Sequence, residues 1–234
     1  MVNTVHILAN KVPKKMLITG DPDRIKLIAK LLNDLTLINS NRGFYTYAGT
    51  YNKEEIGLAS HGIGGPSVAI VLEELISLGA EYIIRLGTIG SLFDEINVGD
   101  VIIPNGVSYL GNASALGLYF SNICYPSSPD ANLSQNLLKN AVNNGFKVHR
   151  GIIFSSDSFY AEGEILEKLK KLNIIGVEME CATLLALSNL RGIKSSCFLI
   201  VSNKAYDKFK KEFYIQEEAI LNAARTILDV LSKN

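Results

Sequence analysis

Two hydrophobic periods take turns along this chain. "KMLIT" at 15–19 is a short apolar run, the mark of a buried strand. After "GDPDR", the stretch "RIKLIAKLL" spaces its apolar residues as a helix does. "FYTYAGTYNKEEIGLASHG" (44–62) sets aromatic and β-branched residues on two arms about a turn near Asn52, which predicts a hairpin. "PSVAIVLEELISLG" reads as a helix with proline in its first turn and a glycine to stop it. "YIIRLG", "DVIIPNGVSY", "HRGIIFSS" and "SSCFLIVSN" are the remaining core strands, and helices are expected at about 131–144, 163–171, 179–190 and 214–232.

Strands that alternate with helices predict an α/β fold, here three-layer α/β/α around a mixed central sheet. The hairpin and the strand count suggest a sheet that partly closes on itself, barrel-like. No repeat, low-complexity run or linker interrupts the 234 residues, so one domain spanning 1–234 is expected.

Composition narrows the function classes. Hydrophobic residues make up 47% and charged residues 20%, enough for a sizeable core. Lys plus Arg balances Asp plus Glu at 23 each, so neither nucleic acid nor an anionic membrane is an expected partner. The apolar runs fall short of the roughly 20 residues a bilayer span needs. The start, "MVNTVHILANKVPKK", lacks a signal-peptide core, and a soluble, cytoplasmic protein is expected. Cys124, Cys181 and Cys197 have no metal-like spacing and read as small buried hydrophobes. His6, His61 and His149 are scattered, and neither a metal nor a redox cofactor is expected.

Two stretches carry candidate chemistry. In "TGDPDR", Gly20 stands at the end of the first strand, just before a helix, where backbone N–H groups and the helix N-terminus favour an anion. Arg24 falls in that helix's first turn, where the macrodipole disfavours a cation. A bound anion explains the placement; the alternative is a surface arginine paired with Asp21 or Asp23. "RLGTIG" repeats the logic with Arg85, at the end of its strand, and Thr88. A guanidinium fork and a hydroxyl suit phosphate oxygens, and ligands of open α/β sheets gather beyond strand ends. No P-loop pattern is present.

Taken in order, "HILA", "GDPDR", "NRGF", "HGIGGPS", "RLGTIGSL", "SSDSFY", "VEMECATL" and "VSN" resemble the purine/uridine phosphorylase superfamily, and most of all its hexameric purine nucleoside and methylthioadenosine phosphorylases. The likeness runs from about residue 4 to 203. It implies the nucleoside phosphorylase fold, a pentosyltransferase activity and a phosphate site made of Gly20, Arg24, Arg85 and Thr88, with Arg42 reaching in from a neighbouring subunit. It implies that His6 crosses an interface to the ribose 5′ side, and that Glu180 takes the vicinal ribose hydroxyls. Phe159 and Tyr160 would then wall the base, with Val177 and Met179 as the apolar floor. Read as bare sequence, "NRGF" is a turn, the apolar residues are core, and Glu180 is a helix N-terminal carboxylate; Glu178, two residues away, points elsewhere. The implied assembly is a homohexamer, a trimer of dimers.

The implied reaction is phosphorolysis of a nucleoside to free base and ribose 1-phosphate, with inorganic phosphate as co-substrate and no cofactor. Purine members of the family place an aspartate at "VSD" to protonate or hydrogen-bond N7; this chain has Asn203 there. An amide donates a hydrogen bond but has no useful proton to give. A 6-oxopurine anion spreads charge onto O6 and tolerates that loss better than adenine, so inosine or guanosine is the expected substrate. Lys204, Lys208, Lys210 and Lys211 lie in a divergent loop that either covers the site or is solvated. Three rivals remain: a uridine phosphorylase, a nucleosidase that uses water, and a nucleoside-binding protein without catalysis. Against the first, the glutamine and arginine such enzymes carry after the aromatic pair are not evident in "FYAEGEILEKL".

Overall fold

The computed structural model describes residues 4–110, 114–121, 123–207 and 215–234. Its first half builds one side of a sheet. Strand β1 (Lys15–Thr19) leads through a proline-started helix α1 (Pro22–Ala29) to β2 (Asn33–Asn39), and the hairpin β3 (Thr46–Tyr51) and β4 (Glu54–Ser60) follows. Helix α2 (Gly65–Ser77) then leads to β5 (Tyr82–Ser91), a buried ten-residue strand. Strands β2, β3, β4, β1 and β5 lie in that order, with β1 parallel to both β4 and β5.

The second half attaches to β5 in two branches. After β6 (Val101–Ile102), β7 (Gly106–Tyr109), α3 (Ser114–Phe120), α4 (Ala131–Asn143), β8 (Val148–His149), β9 (Ile152–Ser155) and α5 (Leu166–Lys171) comes β10 (Ile174–Glu178). Strand β10 pairs antiparallel with the far end of β5, at Val177 opposite Gly90 and Gly176 opposite Ser91, and continues to β9 and β7. Helix α6 (Cys181–Arg191) then feeds β11 (Lys194–Lys204), which runs parallel along the other side of β5 and continues to β6 and β8. Helix α7 (Glu217–Leu231) ends the chain.

The three layers are the ones expected. One core packs α2 and α6 against one face of the sheet; the other packs α1, α4 and α7 against the opposite face. The sheet is mixed, but it forks at β5 instead of closing, so the barrel-like expectation is corrected. The fork has a simple cause. Strand β1 stays with β5 only as far as Ile18 opposite Arg85, and β10 joins only at Gly90, which leaves the middle of β5 without a neighbour on that edge.

Arg85 therefore stands in the middle of a strand that runs on to Ser91, not at its end as expected. "DVIIPNGVSY" is not one strand either: the stretch around Pro104, which has no N–H to give to a ladder, separates β6 from β7, and the two join different branches. Among the described residues, no helix is long and apolar enough to cross a membrane. Cys181 and Cys197 are buried as expected, whereas Cys124 is exposed.

Candidate active site

A cavity of about 1200 Å³ opens at the fork. Gly20 and Arg24 line it from the β1–α1 junction, Arg85, Thr88 and Gly90 from β5, and Val177, Met179 and Glu180 from the β10–α6 junction. Phe159, Tyr160 and Glu162 line it from the segment after β9, Asn203 from β11, and Glu217 and Ile220 from the start of α7. Ten of the twelve expected site residues are thus brought together; His6 and Arg42 lie outside the cavity.

The β1–α1 junction frees Arg24 from both aspartates. Asp21 caps the helix by accepting from the Asp23 N–H at 2.8 Å, and Asp23 pairs with Lys26 at 2.9 Å. Among the described residues, Arg24 makes only a 3.3 Å hydrogen bond from Nη1 to Thr19 Oγ1, and its Nε is buried without a hydrogen-bond partner. Burial lowers the pKa of Arg24; Asp21 opposes this, and the like charge of Arg85 adds to it. A guanidinium that is half-buried, partly unsatisfied and close to a second cation is poised to receive an anion. Gly20 has its own constraint: a Cβ there would stand 2.8 Å from Gly62 O, where the ends of β1 and β4 pass.

Arg85 is 4% exposed and lies folded back over its own strand. Its Nη2 pairs with Glu180, its Nη1 lies 3.5 Å from Glu178 Oε2 and 3.7 Å from Cys181 Sγ, and its Nε faces His61 Nε2 at 3.3 Å. Burial pulls its pKa down, but the Glu180 and Glu178 carboxylates and the Cys181 thiol outweigh that, so Arg85 stays cationic. The guanidinium occupies the space that a side chain at residue 87 would fill. A Cβ on Gly87 would overlap Nη1 and stand 2.6 Å from Cζ. Residues two apart on a strand share a face, so only glycine at 87 lets Arg85 lie flat there.

The two carboxylates of "VEMEC" divide the work in a way the sequence reading did not foresee. Glu178 caps α6: it accepts from the N–H of Glu180 at 2.8 Å and of Cys181 at 2.9 and 3.0 Å, and it also accepts from the Ser155 hydroxyl. Glu180 makes no such cap and instead accepts from the Gly64 N–H at 2.6 Å and from Arg85. Burial raises the pKa of Glu180, and the neighbouring Glu178 charge adds to that; Arg85 opposes it. An acceptor with two oxygens therefore faces the cavity beside the cation pair.

Asn203 sits at a bulge. Val201 pairs with Ile89 but Asn203 pairs with Gly90, so Ser202 is an extra residue that turns the amide toward the cavity. Its Nδ2 donates to Lys204 O at 2.9 Å, and its Oδ1 accepts from Ser202 Oγ at 2.8 Å. Lys204 does not cover the site: its Nζ donates to the carbonyls of Phe93, Asp94 and Ile96 at 2.5–2.9 Å. Lys208, Lys210 and Lys211 lie outside the described residues. The buried Glu162 was missed, because a glutamate in a polar stretch after an aromatic pair has no distinguishing pattern.

His6 and Arg42 come together on the surface. Asn41 Nδ2 donates to the carbonyls of Val5 and His6 at 3.3 and 3.2 Å, and Asn39 Oδ1 accepts from the Leu8 N–H at 3.0 Å. Arg42 is exposed, in a left-handed turn with φ 54°. The His6 ring is held by Glu74, whose carboxylate accepts from Nδ1 at 2.8 Å and from the N–H groups of Val5, His6 and Ile7 at 2.6–3.2 Å. Burial alone would raise the Glu74 pKa, but these hydrogen bonds win and lower it. A lowered carboxylate pKa stabilises the fold at neutral pH and stops doing so only as pH falls through it, below the ordinary range near ~4. Amide exchange at Val5–Ile7 is therefore expected to stay slow from neutral pH down to that range and to accelerate below it relative to the core strands. Loss of protection near pH 6 would contradict it.

Comparison with known proteins accords with this geometry. The sequence pattern of the Phosphorylase superfamily matches residues 14–232. Uridine phosphorylase from Thermococcus kodakarensis is 32% identical over 231 residues, covering 92% of this chain and 82% of that protein. Purine nucleoside phosphorylase DeoD-type from Buchnera aphidicola is 34% identical over 224 residues, covering 94% and 93%. The crystal structure of uridine phosphorylase from Vibrio fischeri ES114 superposes with a TM-score of 0.87 at 29% identity, covering 100% of this chain and 99% of that one.

Proposed function

The chain belongs to the phosphorylase superfamily, and we propose that it cleaves purine nucleosides by phosphorolysis, favouring 6-oxopurines such as inosine and guanosine. The observation that carries the phosphate half is the cation pair at the fork. Arg24 has no carboxylate within ion-pair distance among the described residues, and Arg85 shares its cavity. Water as nucleophile, the nucleosidase alternative, has no need of two guanidinium groups.

In this reading phosphate lies under C1′, held by Arg24, Arg85, the Thr88 hydroxyl and the backbone at Gly20. Glu180 takes the vicinal hydroxyls. The C1′–N bond breaks with its electron pair going to the base, and a phosphate oxygen forms the new bond to a cation-like C1′. Holding the nucleophile in line supplies several of the roughly 7–11 kcal/mol that ideal positioning can contribute. No metal or redox group has a part in these steps. The arginines lower the repulsion that a phosphate dianion would meet beside Glu180.

The purine preference is supported by Glu162 and Asn203. Both line the cavity that Phe159 and Tyr160 also line, and Glu162 is buried there. A carboxylate accepts only; guanine offers it two adjacent donors, N1–H and the 2-amino group, and hypoxanthine offers N1–H. The Asn203 amide donates to N7 or O6 as the base leaves. A second reading, phosphorolysis of uridine, is favoured by the names of two relatives, uridine phosphorylases from T. kodakarensis and V. fischeri. His6 and Arg42, on adjoining segments outside the cavity, belong in this reading to the site of a neighbouring subunit within a homohexamer.

Parallel assays with inosine, guanosine, adenosine, methylthioadenosine and uridine, with and without phosphate, test the proposal. Ribose 1-phosphate should form only with phosphate, and kcat/KM should be highest for inosine or guanosine. Cleavage in phosphate-free buffer would make the protein a nucleosidase; activity on uridine alone would establish the second reading.

A further inference from the structure

We infer that His61, as a neutral imidazole, is a positioning residue that aims the Arg85 guanidinium at the anion site. The inference rests on the phosphorylase reading above. His61 follows β4 and is 0% exposed. Its backbone is fixed on both sides: the N–H donates to Thr19 O at 2.9 Å, and the carbonyl accepts from Ser67 Oγ at 2.5 Å. Ring Nε2 lies 3.3 Å from Arg85 Nε. Arginine has donors and no acceptor, so Nε2 must offer its lone pair, and the ring proton is on Nδ1. Among the described residues, Nδ1 is buried with no hydrogen-bond partner, and no carboxylate there draws a second proton onto the ring. Burial, reinforced by the charges of Arg85 and Arg24, holds the His61 pKa well below that of an ordinary histidine.

Arg85 needs this contact because its other contacts are carboxylates and a thiol. Nη1 and Nη2 face Glu178, Cys181 and Glu180, and Glu180 is the residue assigned to the ribose hydroxyls. When substrate engages Glu180 and phosphate engages the fork, the grip at the tip of the arginine changes. The Nε contact does not, because His61 sits behind the guanidinium. A planar group held at Nε keeps its orientation while the two Nη atoms exchange partners. His61 thus acts on phosphate through Arg85 without touching it.

The test compares His61→Gln, His61→Asn and His61→Leu in the full-length protein, by calorimetric binding of inorganic phosphate alone and by KM for phosphate against KM for nucleoside. Gln can place its Oε1 where Nε2 stands; Asn is too short, and Leu has no acceptor. Phosphate Kd and KM should rise about tenfold or more in Asn and Leu, the size expected for a hydrogen bond to a charged group. The Gln variant should recover most of that, and nucleoside KM should move much less in all three. Where Leu fails to fold, the Gln and Asn pair decides. Equal phosphate affinity in wild type, Gln and Asn would overturn the inference, as would parallel loss of phosphate and nucleoside binding in Gln and Asn alike. A wild-type protein that binds no phosphate would instead overturn the phosphorylase reading, and this inference with it.

Discussion

Replacing Gly87 by alanine is expected to cut kcat/KM for phosphate by about 10²–10³, as much as deleting one preorganised charge-stabilising group in an active site. The added methyl would overlap Arg85 Nη1, and on its other side it would meet Leu199 Cδ2 at 2.9 Å. Neither neighbour has room to give. Arg85 is enclosed by His61, Glu178, Glu180 and Cys181, and Leu199, in strand β11, is itself fully buried. Overpacking alone costs about 1–3 kcal/mol, a loss the fold can survive; the larger effect comes from turning the arginine out of its slot. Steady-state kinetics with Arg85→Ala and the double variant check the route. If Gly87 works through Arg85, the two losses will not add. Additive losses, or a structure of Gly87→Ala with Arg85 unmoved, would defeat the explanation.

The packing of Arg85 over Gly87 leaves no mark in the sequence. An arginine followed by "LGTIG" pointed correctly to a charged group among small residues, but the glycines looked like room for a ligand. In the fold, Gly87 is room for Arg85 itself, and a Cβ on Gly90 would touch Asn203 Nδ2 at 3.3 Å. Spacing along one strand carries no record of a side chain lying down over its own backbone.

The same distinction separates the elements that were legible from those that were not. Strands β5 and β11 are buried on both faces and so read as continuous apolar runs. Strand β2, "NDLTLIN", is an edge strand exposed over its first five residues, and its pattern is too polar to stand out. Strand β10, "IIGVE", has no place among the expected strands, because it runs straight into the carboxylates ahead of α6 and only the helix pattern from about residue 179 stands out. The fork itself depends on which strand pairs with which half of β5, a property of the assembled sheet. The bare sequence reads Glu180 as the helix N-terminal carboxylate and the resemblance gives it to the ribose; the structure shows that Glu178 supplies the cap.

That division pairs the two groups that the proposed reading assigns to different substrates. Glu180 and Arg85 are bonded to each other. In the proposed reading, phosphate that engages Arg85 weakens its hold on Glu180, and hydroxyls that engage Glu180 release Arg85. Each substrate thereby removes part of the cost that the other would meet, since a buried ion pair broken on one side only leaves an uncompensated charge.

Changing Asn203 to aspartate is expected to raise kcat/KM for adenosine by about tenfold or more, a part of the roughly 10²–10⁴-fold that a positioned acid contributes, while inosine changes by only a few-fold. The leaving base must take up the electron pair of the glycosidic bond. Hypoxanthine and guanine place that charge on O6 as well as the ring nitrogens, whereas adenine has only the ring and depends on a proton at N7. Asn203 lines the cavity at the bulge made by Ser202, and both arms of its amide are used locally, on Lys204 O and Ser202 Oγ. A carboxyl group keeps the bond from Ser202 and, in its ionised form, loses the one to Lys204 O, because two acceptors repel. That frees one oxygen to face the base. Protonated, that oxygen donates to N7, so the gain for adenosine should be largest on the acid side of neutrality and fade as pH rises. An adenosine-to-inosine ratio unchanged from wild type across that range would mean that base departure is governed elsewhere in the cavity.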